Sequence, residues 1–242
     1  MTNQTLSNDT TGEISQTSRT VAIRFVVLTI FMLSVLFLAA GRLDWWEGWA
    51  YVTLTMGMLV ASRLYILNKD PDLLIERMEA TQHENVKSWD KILVPLIASI
   101  GPLGVWIVAG LDARFGWSPS LPVAIQVVSL AIILIGTLFA EWAVHVNRFF
   151  SSHVRIQKDR DHSVVSSGPY SIIRHPGYAG ALVVYLAIPF FFSSYWVAIP
   201  SLVILTALIL RTSLEDRTLQ EELPGYKDYT NKVRYRLVPG IW

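Results

Sequence analysis

The chain of 242 residues contains no cysteine and few charged residues. Without cysteine, disulfides, thiolate metal sites and cysteine nucleophiles are all excluded. Charged residues make up only 16% of the chain and the formal net charge is +1, so no basic surplus exists to neutralise nucleic-acid phosphates. Hydrophobic residues make up 52%, and the mean hydropathy is +0.41. These values lie outside the range of an ordinary soluble domain and indicate a membrane protein.

Six apolar segments are candidates for membrane helices. A helix that crosses a bilayer core of about 30 Å needs about 20 residues, and it satisfies its backbone hydrogen bonds internally. The last two segments are short and separated only by Ser193 and Ser194, so we predict a tight hairpin whose second helix continues through residues 211–223. The expected fold is an all-α integral membrane bundle of about six segments. They cover approximately residues 21–40, 45–67, 92–111, 121–144, 178–192 and 195–210.

The chain divides into three predicted regions. Residues 1–18 are rich in Thr, Ser and Asn and lack the basic start and apolar core of a secretory signal, so a disordered tail is expected. Residues 19–144 are predicted to form a four-helix transmembrane region, with a short interfacial helix near residues 70–80, where an Asp-Pro pair suits a helix start. Residues 145–242 are predicted to comprise a cytoplasmic loop, the helical hairpin and a C-terminal extension.

Lys and Arg are concentrated in alternate connecting segments. Most of them lie in residues 68–90, 147–177 and 212–242, whereas the connectors at 41–44 and 112–120 hold one Arg each. Positively charged connectors normally face the cytoplasm. We therefore expect both termini and the polar C-terminal segments to be cytoplasmic.

Residues 168–180 form an unusual entrance to the fifth apolar segment. Two prolines and three glycines bring two tyrosines together with Arg174 and His175 directly before the membrane. Pro176 disfavours helical geometry at His175 and predicts a helix that begins at the proline. Since a membrane helix needs no such cluster at its start, we interpret this stretch as a ligand site at the membrane surface.

The sixth segment supplies further charged residues to the same side of the membrane. Arg211 and Glu215 are four residues apart and therefore share a helix face. A solvated ion pair is the alternative interpretation of this spacing. Because the helix leaves the membrane beside the His-Pro turn, we expect its charges to face the predicted ligand site.

Glu141 and His145 lie one turn apart near the end of the fourth segment. Spacing leaves two roles open for them, anchoring of the helix end or lining of a site. The histidines of the chain show no close-spaced pair of the kind that binds zinc, so no metal site is predicted.

Four motifs follow one another in the C-terminal part. They read Gly168-Pro169-Tyr170, then Arg174-His175-Pro176-x-Tyr178-x-Gly180, then Arg211-x-x-x-Glu215-Asp216-x-x-Leu219, and finally Tyr226-x-x-Tyr229. In this order and spacing they resemble the isoprenylcysteine carboxyl methyltransferase family, which belongs with the phospholipid N-methyltransferases among membrane methyltransferases that use S-adenosylmethionine. The resemblance covers roughly residues 145–239. Asp216 departs from the paired glutamates common in the family.

The resemblance implies roles for individual residues. Arg211 would face the methyl acceptor and orient its carboxylate. Glu215 and tyrosine rings suit the sulfonium and ammonium groups of S-adenosylmethionine. The implied acceptor is lipid-like or prenylated and reaches the site from the membrane lipid. The residues implied in cofactor binding are His162, Ser163, Val164, Val165, Tyr170, His175, Pro176, Gly177, Tyr178 and Glu215.

Three alternative functions remain open at this point. An amine acceptor such as phosphatidylethanolamine would have to lose a proton, so His145, His162 or Glu141 would act as base. Membrane sterol reductases are similar in this region, but they usually carry Asn where this chain has Gly177. A transporter or scaffold is disfavoured because no inverted repeat and no charged midplane residues are seen. The sequence leaves the acceptor and the oligomeric state open.

Overall fold

A computed structural model describes residues 2–70, 73 and 86–242, and every regular element in this part of the chain is helical. Short 3-10 turns occur at Lys158–Arg160 and Gly168–Ser171 between the fourth and fifth helices. The predicted all-α fold is therefore confirmed. The helices are α1 Thr2–Ala40, α2 Trp46–Lys69, α3 Asp90–Phe115, α4 Val123–Val146, α5 Pro176–Phe191, α6 Ala198–Glu222 and α7 Tyr226–Lys232.

Five of these helices are long and apolar enough to cross a membrane. They comprise Ala22–Ala40 of α1 and the whole of α2, α3, α4 and α6. The apolar helix α5 has only 16 residues, fewer than the roughly 20 that a straight crossing needs. With α6 it forms the expected hairpin, and α6 continues to Glu222 as predicted. Among the described residues, the bundle thus has five helices of spanning length and one short apolar helix.

The N-terminal segment differs from its prediction. Helix α1 begins at Thr2, so residues 2–18 are helical where the sequence indicated a disordered tail. Extending an existing helix adds one hydrogen bond for each residue that is fixed, whereas starting a new helix is costly. The apolar part of α1 can therefore propagate helix into the preceding polar residues.

The predicted interfacial helix near residues 70–80 lies almost entirely outside the described residues. At its expected start, the backbone N–H of Leu73 donates a hydrogen bond of 3.1 Å to Oδ1 of Asp70. This is the bond that an Asp cap makes at a helix start. Leu73 is buried beside Ile66 of α2.

The core of the bundle is apolar, and so is much of its outer surface. Large apolar side chains such as Leu38, Ile135 and Leu202 are more than half exposed on spanning helices. Exposed apolar surface of this extent suits contact with lipid. The interior contains completely or almost completely buried side chains from five helices: Met32, Leu36, Val105, Ile133, Ile188, Ile204 and Leu208.

Helices α4 and α5 approach each other closely through two glycines. A Cβ atom on Gly180 would lie 2.5 Å from the carbonyl oxygen of Gly136 and 2.8 Å from Cβ of Ala140. Such small residues let helix backbones approach within a membrane. Because α5 begins only four residues earlier, at Pro176, this contact fixes the start of α5 beside the end of α4.

Polar side chains tie the connections at the end of the bundle where the α5–α6 turn lies. Asp112 in the last turn of α3 accepts hydrogen bonds from the backbone and hydroxyl of Ser118 and from the hydroxyl of Ser194. Gln126 of α4 donates 2.8 Å hydrogen bonds to Glu47 and Ser193. The opposite end, where α3 and α5 begin and α4 and α6 end, is called the site end below.

We expect Gly180→Ala to destabilise the protein, because its methyl group would be forced against the backbone of α4. Overpacking of this kind costs about 1–3 kcal/mol. Thermal unfolding in detergent measures the loss. Gly57→Ala is the matched control in α2, since no atom lies within 4 Å of a Cβ there. That variant should be neutral or more stable by up to about 1 kcal/mol. Equal midpoints for the two variants would contradict the close contact.

Candidate active site

A cavity that is partly open to solvent lies at the site end, and its empty space of about 760 Å³ includes the part that belongs to open solvent. Its walls come from the loop after α4, the start of α5, the C-terminal half of α6 and α7. All but one of the residues that the resemblance implied in cofactor binding line it. They are His162, Ser163, Val164, Val165, Tyr170, His175, Gly177, Tyr178 and Glu215.

Two predicted site residues do not line this cavity. Pro176 is buried as the first residue of α5, following His175 in non-helical geometry (φ −126°, ψ 62°). The predicted helix start is therefore confirmed, and in the structure Pro176 serves that start. Arg211 is also buried, and its guanidinium carbon lies 5.3 Å from the ring centroid of Tyr178. It therefore borders the cavity at Tyr178, which does line it.

The carboxylate of Asp216 has no solvent exposure and is the centre of a polar network with five partner residues. Arg174 binds it with two hydrogen bonds of 2.8 and 3.1 Å, and Nε of Arg236 donates another of 2.8 Å. Two cations offset the cost of burying this anion. The substitution of Asp for the glutamate common in the resembled family thus leaves a fully bonded group. The hydrogen-bonding partners of Asp216 are Arg174, His175, Gln220, Tyr226 and Arg236.

The same network fastens the C-terminal extension to the entrance of α5. Arg174 donates to the carbonyl oxygens of Val233 and Arg234 at 2.9 and 2.8 Å. Its backbone N–H donates to Tyr235, and that of His175 donates to Arg236, both at 2.9 Å. The residues before α5 therefore have a fixed backbone although they are not helical.

Tyr178 connects the cavity wall to the charged residues of α6. Its hydroxyl donates a 2.5 Å hydrogen bond to Oε2 of Glu215. The ring of His175 lies nearly parallel to the tyrosine ring, 5.8 Å away and inclined by 9°. Glu215, whose spacing predicted a place in the site, thus has its carboxylate oriented by a partly buried phenol.

Asp90 is a buried residue of this site that the sequence analysis did not identify. It begins α3, and its Oδ1 accepts a 2.7 Å hydrogen bond from Nε of Arg211. Nη2 of Arg211 binds Oδ2 of Asp90 at 3.3 Å and the carbonyl oxygen of Ser152 at 2.7 Å. Aspartate is common in the first turn of a helix simply because its negative charge interacts favourably with the helix dipole. Nothing in its sequence neighbourhood therefore distinguished Asp90.

His162 is a neutral side chain in the cavity wall. Burial, together with the charges of Arg155 and Arg160, lowers the pKa of the imidazole to about 4. The backbone N–H of Gln157 approaches Nδ1 at 3.3 Å, and the ring packs on Phe149 at 4.5 Å between centroids. If Nδ1 accepts, the proton of the neutral ring is on Nε2, which then offers the cavity one donor.

Tyr226 and Tyr229 form another wall of the cavity. Their three-residue spacing was noted in the sequence, but they were not assigned to the site. Burial, aided by the charge of Asp216, raises the pKa of Tyr226, and burial also raises the pKa of Tyr229, so both phenols keep their protons. Tyr229 donates a 2.6 Å hydrogen bond to the carbonyl oxygen of Tyr170.

Glu141 and His145 face α2 and do not line the cavity. Oε2 of Glu141 accepts a 2.5 Å hydrogen bond from Ser62, and Nε2 of His145 lies 3.4 Å from the same hydroxyl. The ring of His145 packs edge-to-face on Tyr65. Of the two roles left open by their spacing, the structure matches the anchoring role. Within the described part of the chain, no three His, Asp or Glu residues are placed to hold a metal ion.

We expect Asp216→Asn to destabilise the site end strongly. An amide leaves the buried Arg174 and the partly exposed Arg236 without their anion, and breaking a buried ion pair costs about 3–5 kcal/mol. Thermal unfolding in detergent is the measurement. Glu221→Gln on the same helix is the control, because its pair with Arg217 is exposed and should not affect the midpoint. An unchanged midpoint for Asp216→Asn would contradict the structural importance of this network.

Comparison with known proteins agrees with the resemblance seen in the sequence. Residues 128–222 match the model of the isoprenylcysteine carboxyl methyltransferase (ICMT) family. Two curated relatives, from Oryza sativa subsp. indica and subsp. japonica, are each named "Probable protein-S-isoprenylcysteine O-methyltransferase". Each is 33% identical to this chain over 60 residues, which are 24% of this chain and 31% of the relative. The chain therefore matches only about a third of the length of these relatives. The matched residues 128–222 include all of α5 and α6, so similarity to this family is confirmed for the region that supplies Tyr178, Arg211 and Glu215.

Proposed function

We propose that this chain is an integral membrane methyltransferase that uses S-adenosylmethionine to methylate a carboxylate on a lipid-like, isoprenylcysteine-type acceptor. The observation that carries the proposal is the cavity at the site end, where family-matching residues of α5 and α6 place Tyr178 and Glu215 in one wall. Arg211 lies directly behind that wall. The printed names of the two rice relatives supply the acceptor class.

The donor set of the cavity suits this cofactor. S-adenosylmethionine carries sulfonium and ammonium cations, and a carboxylate such as Glu215 and tyrosine rings are favourable partners for both. The neutral imidazole of His162 adds a polar group without a competing positive charge. When bound, the cofactor supplies an electrophilic methyl group, whose bond to sulfur breaks as its bond to the acceptor oxygen forms. The residues that would hold it are those that line the cavity, namely His162–Val165, Tyr170, His175, Gly177, Tyr178 and Glu215.

The protein contributes mainly alignment and exclusion of water. An acceptor carboxylate is already anionic, so no residue has to remove a proton. A reaction without a base agrees with the positions of Glu141 and His145, which contact Ser62 and do not line the cavity. An amine acceptor would need a base, and of the three candidates only His162 lines the cavity. The carboxylate acceptor is therefore the function that the geometry supports best.

Arg211 would orient the acceptor carboxylate from the apolar side of the site. Its guanidinium is fixed through Nε and Nη2, and the planar fork is suited to binding carboxylates. We place the site end at the cytoplasmic face, because alternate basic connectors predict that orientation. A water-soluble cofactor would then enter from the cytoplasm, and an apolar acceptor would arrive between helices from the bilayer.

We expect Glu215→Gln to weaken binding of S-adenosylmethionine by about tenfold or more, which corresponds to about 1.4 kcal/mol. The substitution keeps the shape of the side chain but removes the charge that faces the cofactor cations. Calorimetry on detergent-purified protein measures the dissociation constant. Glu141→Gln is the matched control, since that carboxylate faces α2, and it should bind the cofactor as wild type does. A folded wild type that does not bind S-adenosylmethionine would refute the proposed function.

We expect Arg211→Lys to lower turnover of a carboxylate acceptor by about tenfold or more without changing cofactor affinity. Lysine keeps the charge, but it lacks the planar fork that binds Asp90 and an acceptor together. Methyl transfer to a prenylated cysteine derivative is the assay, with an unprenylated cysteine derivative and phosphatidylethanolamine for comparison. Unchanged turnover in the variant would contradict the role of Arg211. Equal rates on prenylated and unprenylated acceptors would contradict a lipid-like substrate.

A further inference from the structure

The contacts of Asp90 go beyond those of a helix-capping residue. Its carboxylate has no solvent exposure, and both of its oxygens are bonded to other segments of the chain. Oδ1 accepts from Arg211 of α6. Oδ2 accepts from the backbone N–H of Val154 at 2.8 Å, and Nδ1 of His153 lies at 3.3 Å. One side chain of α3 therefore joins α6 to the loop that follows α4.

Both of these connections lead to the cavity. His153 and Val154 line the cavity directly. Arg211 lies against the ring of Tyr178, whose hydroxyl is bonded to Glu215. Displacement of the Asp90 carboxylate would therefore disturb two walls at once, one through the loop backbone and the other through the guanidinium.

We propose that Asp90 is a positioning residue of the active site, one that fixes the guanidinium of Arg211 and the backbone of residues 152–154 in the arrangement that methyl transfer requires. This inference rests on the proposed function, because the reaction that Asp90 supports is the proposed methyl transfer. It concerns a residue outside the family-matching region 128–222, so the N-terminal half of the chain takes part in the site. Asp90 itself touches neither the cavity nor the reacting groups, as it is absent from the lining residues.

The pattern of donors explains why a carboxylate is required at this position. If asparagine places its NH₂ group where Oδ2 lies, that group faces the N–H of Val154. If the NH₂ group lies at the position of Oδ1, it faces Nε–H of Arg211. Either orientation places two donors against each other in a buried position. Only a carboxylate accepts on both sides, so Asp90→Asn loses one connection however the amide is oriented.

Asp112 provides a matched control at the other end of the same helix. It is also a buried aspartate, and its partners are Ser118 and Ser194, far from the cavity residues. Asp90→Asn and Asp112→Asn should both lower the unfolding midpoint. Only Asp90→Asn should lower turnover per folded molecule, by about tenfold or more. An equal loss of stability with undiminished turnover would mean that Asp90 is only a structural brace, and it would overturn the proposal.

Hydrogen exchange provides a readout that does not require activity. In Asp90→Ala, which removes both acceptor oxygens, the amides of residues 152–154 should exchange faster, while those of 174–178, which the Asp216 network holds, should keep their protection. Unchanged exchange at 152–154 would overturn the positioning role even if turnover fell. Absence of S-adenosylmethionine binding by wild type would refute the proposed function instead, so the two failures are distinguishable.

Exchanging the two charges tests whether a buried ion pair is sufficient or whether the guanidinium must extend from α6. Asp90→Arg combined with Arg211→Asp keeps one buried cation beside one buried anion, but it moves the cation from α6 to α3. Turnover should remain at least about tenfold below wild type, because no guanidinium then extends from α6 behind Tyr178. Recovery of turnover by the reversed pair would overturn the proposal. If the reversed pair does not fold, the turnover of Asp90→Asn and the exchange pattern of Asp90→Ala still decide the question.

Discussion

Asp216 carries a buried negative charge on which donors from three other segments of the chain converge. A carboxylate removed from water costs several kcal/mol, and the attraction of its partners offsets that cost only when the geometry is complete. The two arginines cannot be satisfied unless the start of α5, helix α6 and the C-terminal residues occupy one relative arrangement. This single anion therefore fixes Arg174 and His175, the residues directly before α5. Both residues line the cavity, so the position of one of its walls depends on the Asp216 network.

The two ends of the bundle use buried aspartates in different ways. At the α5–α6 turn, Asp112 accepts from hydroxyl and amide groups, and no arginine binds it among the described residues. At the site end, Asp90 and Asp216 bind Arg211, Arg174 and Arg236. Hydroxyl donors serve only to close a loop, whereas a paired guanidinium retains donors that an incoming anion can use. The two ends thus differ in the groups that bind a buried aspartate, which are guanidinium groups at the site end and hydroxyl and amide groups at the α5–α6 turn.

Sequence patterns predicted the features that depend on neighbouring residues. Pro176 determined where α5 begins, and apolar content determined the spanning helices, because both effects act locally. Motif resemblance correctly grouped nine cavity residues, from His162 to Glu215, although their binding roles remain predictions. The pairing of Asp90 with Arg211 could not be predicted, since 121 positions separate them and the contact depends on how α3 and α6 pack. Four-residue spacing correctly placed Arg211 and Glu215 on one helix face, but it could not reveal that Tyr178 separates Arg211 from the cavity.

The fixed position of Arg211 bears on the catalytic role proposed for it, the orientation of the acceptor carboxylate. A guanidinium free in solution would bind an acceptor carboxylate and the transition state about equally, which lowers KM without raising kcat. Paired with Asp90, Arg211 has little net charge to attract the acceptor, yet its remaining N–H groups have a fixed direction. Such an arrangement favours alignment over affinity, because the orientation is established before the acceptor arrives. In the proposed function, a lipid-like acceptor would not need the lost attraction, since burial of its apolar chain would supply affinity at about 25 cal/mol per Å². The Asp90–Arg211 pair and the proposed apolar acceptor would therefore be complementary features of one site.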